Sequence, residues 1–233
     1  MAIYITGDTH GNIDRDKLNK ENFRDEDKLT RDDYVIILGD FGVPGFGKTL
    51  ENNSELEFYK NKNYTVLFVE GNHENYNVLD NLQVSIWHGG KIHYLADNVI
   101  HLMRGQIYNI CDKKFFTFGG AYSPDKYLRI PGYTWFQHES STYAEQDEAL
   151  DNLAKESNEV DYILTHTCGS EYMQRNSYLI DIVFNKEYQD TTETFLDYIE
   201  QIITFKKWFF GHYHKDYNLD NKHMLLYNSI IKL

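Results

Sequence analysis

Short apolar runs recur along the chain, and each gives way to a polar turn. Ile3–Ile5 leads into Gly7 and Asp8, Tyr34–Leu38 into Gly39 and Asp40, and Thr65–Val69 into Gly71, Asn72 and His73. Further on, Tyr162–Leu164 leads into Thr165 and His166, and Trp208–Phe210 into Gly211 and His212. Continuous runs rich in β-branched and aromatic residues predict strands buried on both faces. Polar segments between them predict helices over 49–61, 142–156 and 190–204. This alternation defines an α/β fold. The middle, 84–120, is broken by Gly89-Gly90, Asp97-Asn98 and Gly119-Gly120, which predicts antiparallel strands joined by turns.

No repeat, low-complexity tract or Pro/Gly/Ser linker divides the 233 residues, so one domain spanning 1–233 is expected. With 41% apolar and 25% charged residues, the chain can bury a core, which excludes disorder as its dominant state. The net charge of −13 argues against a protein that grips long nucleic acid over its surface. The basic pairs Lys113-Lys114 and Lys206-Lys207 read as solvated charge. No apolar run reaches membrane-spanning length. The N-terminus lacks a basic segment followed by an apolar run, so no secretory signal is read there. Cys111 and Cys168 are far apart and form neither a disulfide scaffold nor a zinc ribbon. A cytoplasmic location follows as the expectation.

The polar residues fall where the strands end, the edge at which open α/β sheets bind ligands. Together these turns supply Asp8, His10, Asp40, Asn72, His73, His166, His212 and His214. Carboxylate oxygens and imidazole nitrogens are ligands for divalent metals of intermediate hardness. Asp8 and His10 are two residues apart, as are His212 and His214, a spacing that puts both side chains on one side of an extended segment.

The segments GDTHG (7–11), GD (39–40), GNHE (71–74), TH (165–166) and GHYH (211–214) resemble, in order, the motifs of the calcineurin-like metallophosphoesterases. The resemblance runs from Asp8 to His214. It implies a four-layer sandwich of two mixed β-sheets flanked by helices. It also implies one metal held by Asp8, His10, Asp40 and His214, and a second held by Asp40, Asn72, His166 and His212. Asp40 would bridge them, and His73 would be the general acid beside the leaving group. Two divalent ions in such a site hold a bridging water as hydroxide and clamp a phosphoryl group for in-line attack. Manganese ranks first, with iron, zinc, cobalt and nickel as the other candidates, because ligand softness does not choose among them.

Gly42 to Thr49 also satisfies the G-x-x-x-x-G-K-[ST] pattern of a phosphate-binding loop. Its strand ends in Asp40, which is already in the metal set, so a nucleotide-binding loop is the weaker reading. Lys48 is retained as a substrate-phosphate candidate, and so is Arg129, whose guanidinium fork matches phosphate oxygens. Asn72 and His73 complete the expected substrate contacts. The histidines at 88, 93, 101, 138 and 223 share no spacing and are expected to be ordinary. The phosphoprotein phosphatases extend the second motif as GDxVDRG and the third as RGNHE. Here the sequence reads GDFGVPG and EGNHE, which disfavours that branch, although Glu74 is shared with it. The expectation is an enzyme acting on a nucleotide or another small phosphate mono- or diester. The alternatives are a phosphoprotein phosphatase and a non-catalytic interaction module on the same fold.

Overall fold

Every apolar run forms a β-strand in the computed structural model, which describes residues 1–180 and 190–233. The first three are β1 (Ile3–Thr6), β2 (Tyr34–Leu38) and β3 (Thr65–Val69), each buried along its whole length. The middle of the chain supplies β4 (Val84–Trp87), β5 (Gly90–Ala96), β6 (Val99–Leu102), β7 (Gln106–Ile110) and β8 (Lys113–Phe118). After these come β9 (Tyr162–Thr165), β10 (Lys207–Phe210), β11 (Tyr217–Asn218), β12 (His223–Leu225) and β13 (Ile231–Lys232). Among the described residues they form a seven-stranded sheet, β13-β1-β2-β3-β6-β5-β4, and a six-stranded sheet, β11-β12-β10-β9-β8-β7. Both are mixed. The neighbours β1, β2, β3 and β6 run parallel, as do β8, β9, β10 and β12, while β4-β5-β6 and β7-β8 are antiparallel.

Period-two alternation sorts the strand residues into layers. Ile3, Ile5, Ile36, Leu38, Leu67 and Val69 meet Phe115, Leu164 and Phe209 in a core between the two sheets. The alternate residues Tyr4, Val35, Ile37, Val66 and Phe68 face outward from the first sheet and are covered by Leu56, Tyr59 and Leu79. Phe116, Phe118, Ile163, Trp208 and Phe210 face outward from the second sheet and are covered by Ala149, Leu153, Met173, Leu196 and Ile199. The covering helices are α1 (Ser54–Lys60) and α2 (Tyr76–Leu79) on one side. On the other are α3 (Tyr143–Lys155), α4 (Ser170–Asn176) and α5 (Thr191–Ile202). The result is the expected four-layer α/β sandwich.

Helix boundaries follow local capping chemistry. Thr142 with Glu145 and Asp190 with Glu193 form capping boxes that start α3 and α5. The helix expected over 49–61 is shorter, because Asn53 caps it by accepting from the N–H groups of Glu55 and Leu56. Five residues therefore separate Lys48 from the first turn of α1. That corrects the phosphate-binding-loop reading, which needs its lysine at the start of the helix. Among the described residues no helix is long and apolar enough to cross a membrane.

Candidate metal centre

The C-terminal ends of the parallel strands of both sheets meet at one rim. Gly211 N–H donates to the His166 carbonyl (2.8 Å), joining the turns after β10 and β9. His10 N–H donates to the Asp40 carbonyl (2.7 Å), joining the turns after β1 and β2. The two sheets are joined where His212 N–H donates to Asp8 Oδ1 (3.1 Å) and His166 Nδ1–H donates to the Leu38 carbonyl (2.8 Å). Close approach dictates two of the glycines. A Cβ on Gly71 would lie 2.2 Å from Asp40 N and Oδ1, and one on Gly211 would lie 2.2 Å from Asp8 Oδ1.

The turns are strained where they carry chemistry. His10, Asp40, His212 and His214 all have positive φ, between 42° and 70°. Such a conformation costs a non-glycine residue about 1 kcal/mol or more. Four of the eight expected site residues adopt it.

Around Asp40 the side chains form two adjoining groups. In the first, Asp8, His10, Asp40 and His214 each offer a ligand atom, all within 4.8 Å of one another. His10 Nε2 lies 3.2 Å from Asp40 Oδ2, and His214 Nε2 lies 3.3 Å from Asp8 Oδ2. His10 Nδ1 meets Asp14 Oδ2 at 2.6 Å, which fixes that ring and leaves Nε2 facing the centre. In the second, His166 Nε2 lies 3.1 Å from Asn72 Oδ1, 3.2 Å from His212 Nδ1 and 3.3 Å from Asp40 Oδ1. With its Nδ1 proton committed to Leu38, the His166 ring turns Nε2 toward these atoms, and that nitrogen offers a lone pair once its proton is lost. Carbonyl oxygen, carboxylate oxygen and imidazole nitrogen thus converge on one point. Such a set fits a cation.

Electrostatics agree. Burial works against a charged His166, but Asp40 and Asp8 outweigh it and push its pKa up to about 9. His10 is likewise opposed by burial and raised to about 9 by Asp40, Asp8 and Asp14. Burial and the neighbouring His166 push His212 down to about 3. Burial would raise Asp40, yet the rings of His166, His73 and His10 hold it well below the usual carboxylate range.

His73 lies at the edge of this cluster. Its backbone N–H donates to Asp40 Oδ1 (2.8 Å), and its ring lies edge-on to His10. Arg129, on the 119–140 loop, reaches across so that Nη2 lies 2.7 Å from His73 Nε2 while Nη1 donates to the Asn72 carbonyl (3.1 Å). Asp125 pairs with the same guanidinium (2.8 Å). Burial lowers the His73 pKa; Arg129 and His10 lower it further, and Asp40 opposes them. Lys48 is placed differently. On the glycine-rich loop, its ammonium pairs with Glu55 (2.8 Å) of α1, and its side chain is half exposed.

Several residues that build this rim were not among the expected site residues. Glu74 is buried and accepts from three backbone N–H groups: Phe41 (2.7 Å), Gly42 (2.9 Å) and Gly71 (3.2 Å). Burial and Asp40 raise its pKa to about 7 against those amides. Its place at the end of GNHE was the only available signal. Lys17 is buried under the first turn and donates to the carbonyls of Gly7 (3.0 Å), Asp8 (2.5 Å) and Tyr227. Glu70 is held between Arg104 (2.5 Å) and His101 (2.8 Å). His101 in turn meets His93 (3.2 Å), so these two histidines belong to a buried polar network rather than being ordinary.

Two mixed sheets packed face to face, with a carboxylate–imidazole cluster at their shared rim, define the metallophosphoesterase class. The chain belongs to the calcineurin-like phosphoesterase family, whose sequence profile matches residues 1–216. No curated protein matches the chain.

Proposed function

We propose that the protein is a two-metal phosphoesterase that hydrolyses a small phosphate mono- or diester, a nucleotide among the favoured substrates. The observation that carries this reading is the convergence of acceptor atoms on both sides of Asp40. Asp8, His10, Asp40 and His214 would hold one divalent ion, and Asp40, Asn72, His166 and His212 the other, with manganese first among the candidate metals. When bound, the two ions neutralise phosphate charge and supply an activated water for in-line attack.

The remaining work falls to the chain. Asp40 orients the His73 turn through its backbone N–H. The His73 imidazole, protonated once Arg129 no longer opposes its charge, delivers a proton to the departing oxygen as general acid. Arg129 binds phosphate oxygens with its fork and leaves His73 as it does so. Lys48, engaged with Glu55, is the more peripheral substrate candidate. A cytoplasmic location and a single domain over 1–233 complete the reading, with no extended nucleic-acid surface and no membrane partner.

Metal-stripped protein, assayed on bis(p-nitrophenyl) phosphate and p-nitrophenyl phosphate with and without Mn²⁺, tests it. Metal-dependent turnover of either ester supports the enzyme. Metal bound without turnover of these or of a nucleotide panel would favour an interaction module on the same fold.

A further inference from the structure

We propose that Ser123 and Glu139 are a positioning pair that locks the Asn72 amide with its oxygen toward His166, and thereby sets the metal affinity of the position beside His166 and His212 alone. The inference rests on the two-metal reading above.

The polarity of one buried hydrogen-bond chain sets the orientation of this amide. Asn72 Nδ2 donates to Ser123 Oγ at 3.0 Å. The Ser123 hydroxyl donates in turn to Glu139 Oε2. The other Glu139 oxygen accepts from the N–H of Phe136 (3.0 Å). All three side chains are buried. When Glu139 is ionised it can only accept, so the Ser123 proton then points at it. That leaves the Ser123 lone pairs for Asn72, which must offer N–H. The Asn72 oxygen is then left facing His166 Nε2 at 3.1 Å. The flipped amide would aim N–H groups at the cation position. It would also compete with Glu139 for the one hydroxyl proton, leaving a buried carboxylate without its donor.

The loop that carries this pair is held at both ends by Arg104. Its Nε donates to the Gly119 carbonyl (3.1 Å), and its Nη2 donates to the carbonyls of His138 (2.8 Å) and Glu139 (3.3 Å). Gly120 N–H also donates to the Glu70 carbonyl (2.7 Å), one residue before the metal-site turn. The loop is thus pinned against the turn it organises. The first group is oriented separately: Asp14 fixes the His10 ring, and among the described residues no hydrogen bond or ion pair joins Ser123 or Glu139 to Asp8, His10 or His214.

The test is a Mn²⁺ titration by calorimetry at pH 8.5, where Glu139, raised to about 7 by burial, is ionised. Wild type, Ser123→Ala and Glu139→Gln are compared, and thermal unfolding of each metal-free protein is recorded alongside. Wild type should bind two ions. Each variant should bind one as tightly as wild type and the other about 10–100-fold more weakly, the usual effect of removing a residue that orients a ligand. In a His214→Ala background, which disables the first group, the weakened event should be the one that remains. Both ions bound with wild-type affinity in Ser123→Ala would overturn the proposal and leave the enzyme reading intact. Equal weakening of both, in step with lost thermal stability, would reduce the pair to a fold-stabilising role and also overturn it. No metal bound by wild type would sink both readings. Should Glu139→Gln not fold, Ser123→Ala decides the matter.

Discussion

The backbone N–H of His73 donates to Oδ1 of Asp40 at 2.8 Å, and that same oxygen lies 3.3 Å from Nε2 of His166. One carboxylate therefore faces the proposed second metal position and also fixes the turn that carries the proposed general acid. Asp40→Asn preserves an acceptor for His73 but removes the charge. We expect activity to fall by about 10³-fold and metal affinity to collapse, while the metal-free fold persists. Steady-state kinetics and metal titration check this, and a variant retaining wild-type turnover would contradict it.

Arg129 lies against His73 in the free protein and is expected to move onto the substrate phosphate. Lysine cannot reproduce its fork. Arg129→Lys should lower kcat/KM by about 10²-fold, with little effect on metal binding. Arg129 also helps to lower the His73 pKa. Arg129→Ala should therefore let His73 hold its proton to higher pH, and the alkaline limb of residual activity should move upward. A limb that stays in place would show that His73 is not the group being read.

Glu74 ties the turn after β2 to the turn after β3 through three backbone amides. Glu74→Ala leaves those donors unpaired at about 1 kcal/mol or more each. A total of about 3 kcal/mol corresponds to a fall in Tm of about 6–12 °C for a chain of this size. Differential scanning calorimetry of the metal-free protein measures it, and a shift under about 2 °C would show that the carboxylate is not holding the turns.

The pH dependence of the metal-free fold follows from His10 and His166. Both rise from 6.5 to about 9 in the folded protein. A group that binds its proton more tightly when folded contributes fully below its unfolded pKa and loses that contribution as pH rises through the folded value. Tm of the metal-free protein should therefore fall between pH 6.5 and 9. With Mn²⁺ present the trend should reverse, because ligands release protons when they bind metal. Thermal scans across that window, with and without metal, check both signs, and a flat metal-free profile would refute the assignment.

Much of this was legible in the sequence because burial dictates composition. Strands packed on both faces, such as Tyr34–Leu38, leave no room for polar residues, so Asp40 stands out where the strand stops. The capping residues Thr142 and Asp190 mark α3 and α5 for the same local reason. The 119–140 loop was not legible in this way. Ser123, Arg129 and Glu139 sit there at irregular spacing and meet Asn72 and His73 only through tertiary folding, so no periodicity announces them. Nor could a pattern of apolar residues show that Glu70 and Arg104 neutralise each other inside the protein. The pairing of β13 with β1 joins the two ends of the chain through two residue pairs, too few to leave a periodic trace.

The central claim is a pair of metal ions bridged by Asp40. The most direct measurement is an anomalous difference map at the manganese edge from crystals of Mn²⁺-loaded protein. The account predicts two peaks about 3.5–4 Å apart, one beside His10 and His214 and the other beside His166 and His212, with Asp40 between them. A single peak, or peaks away from Asp40, would contradict it.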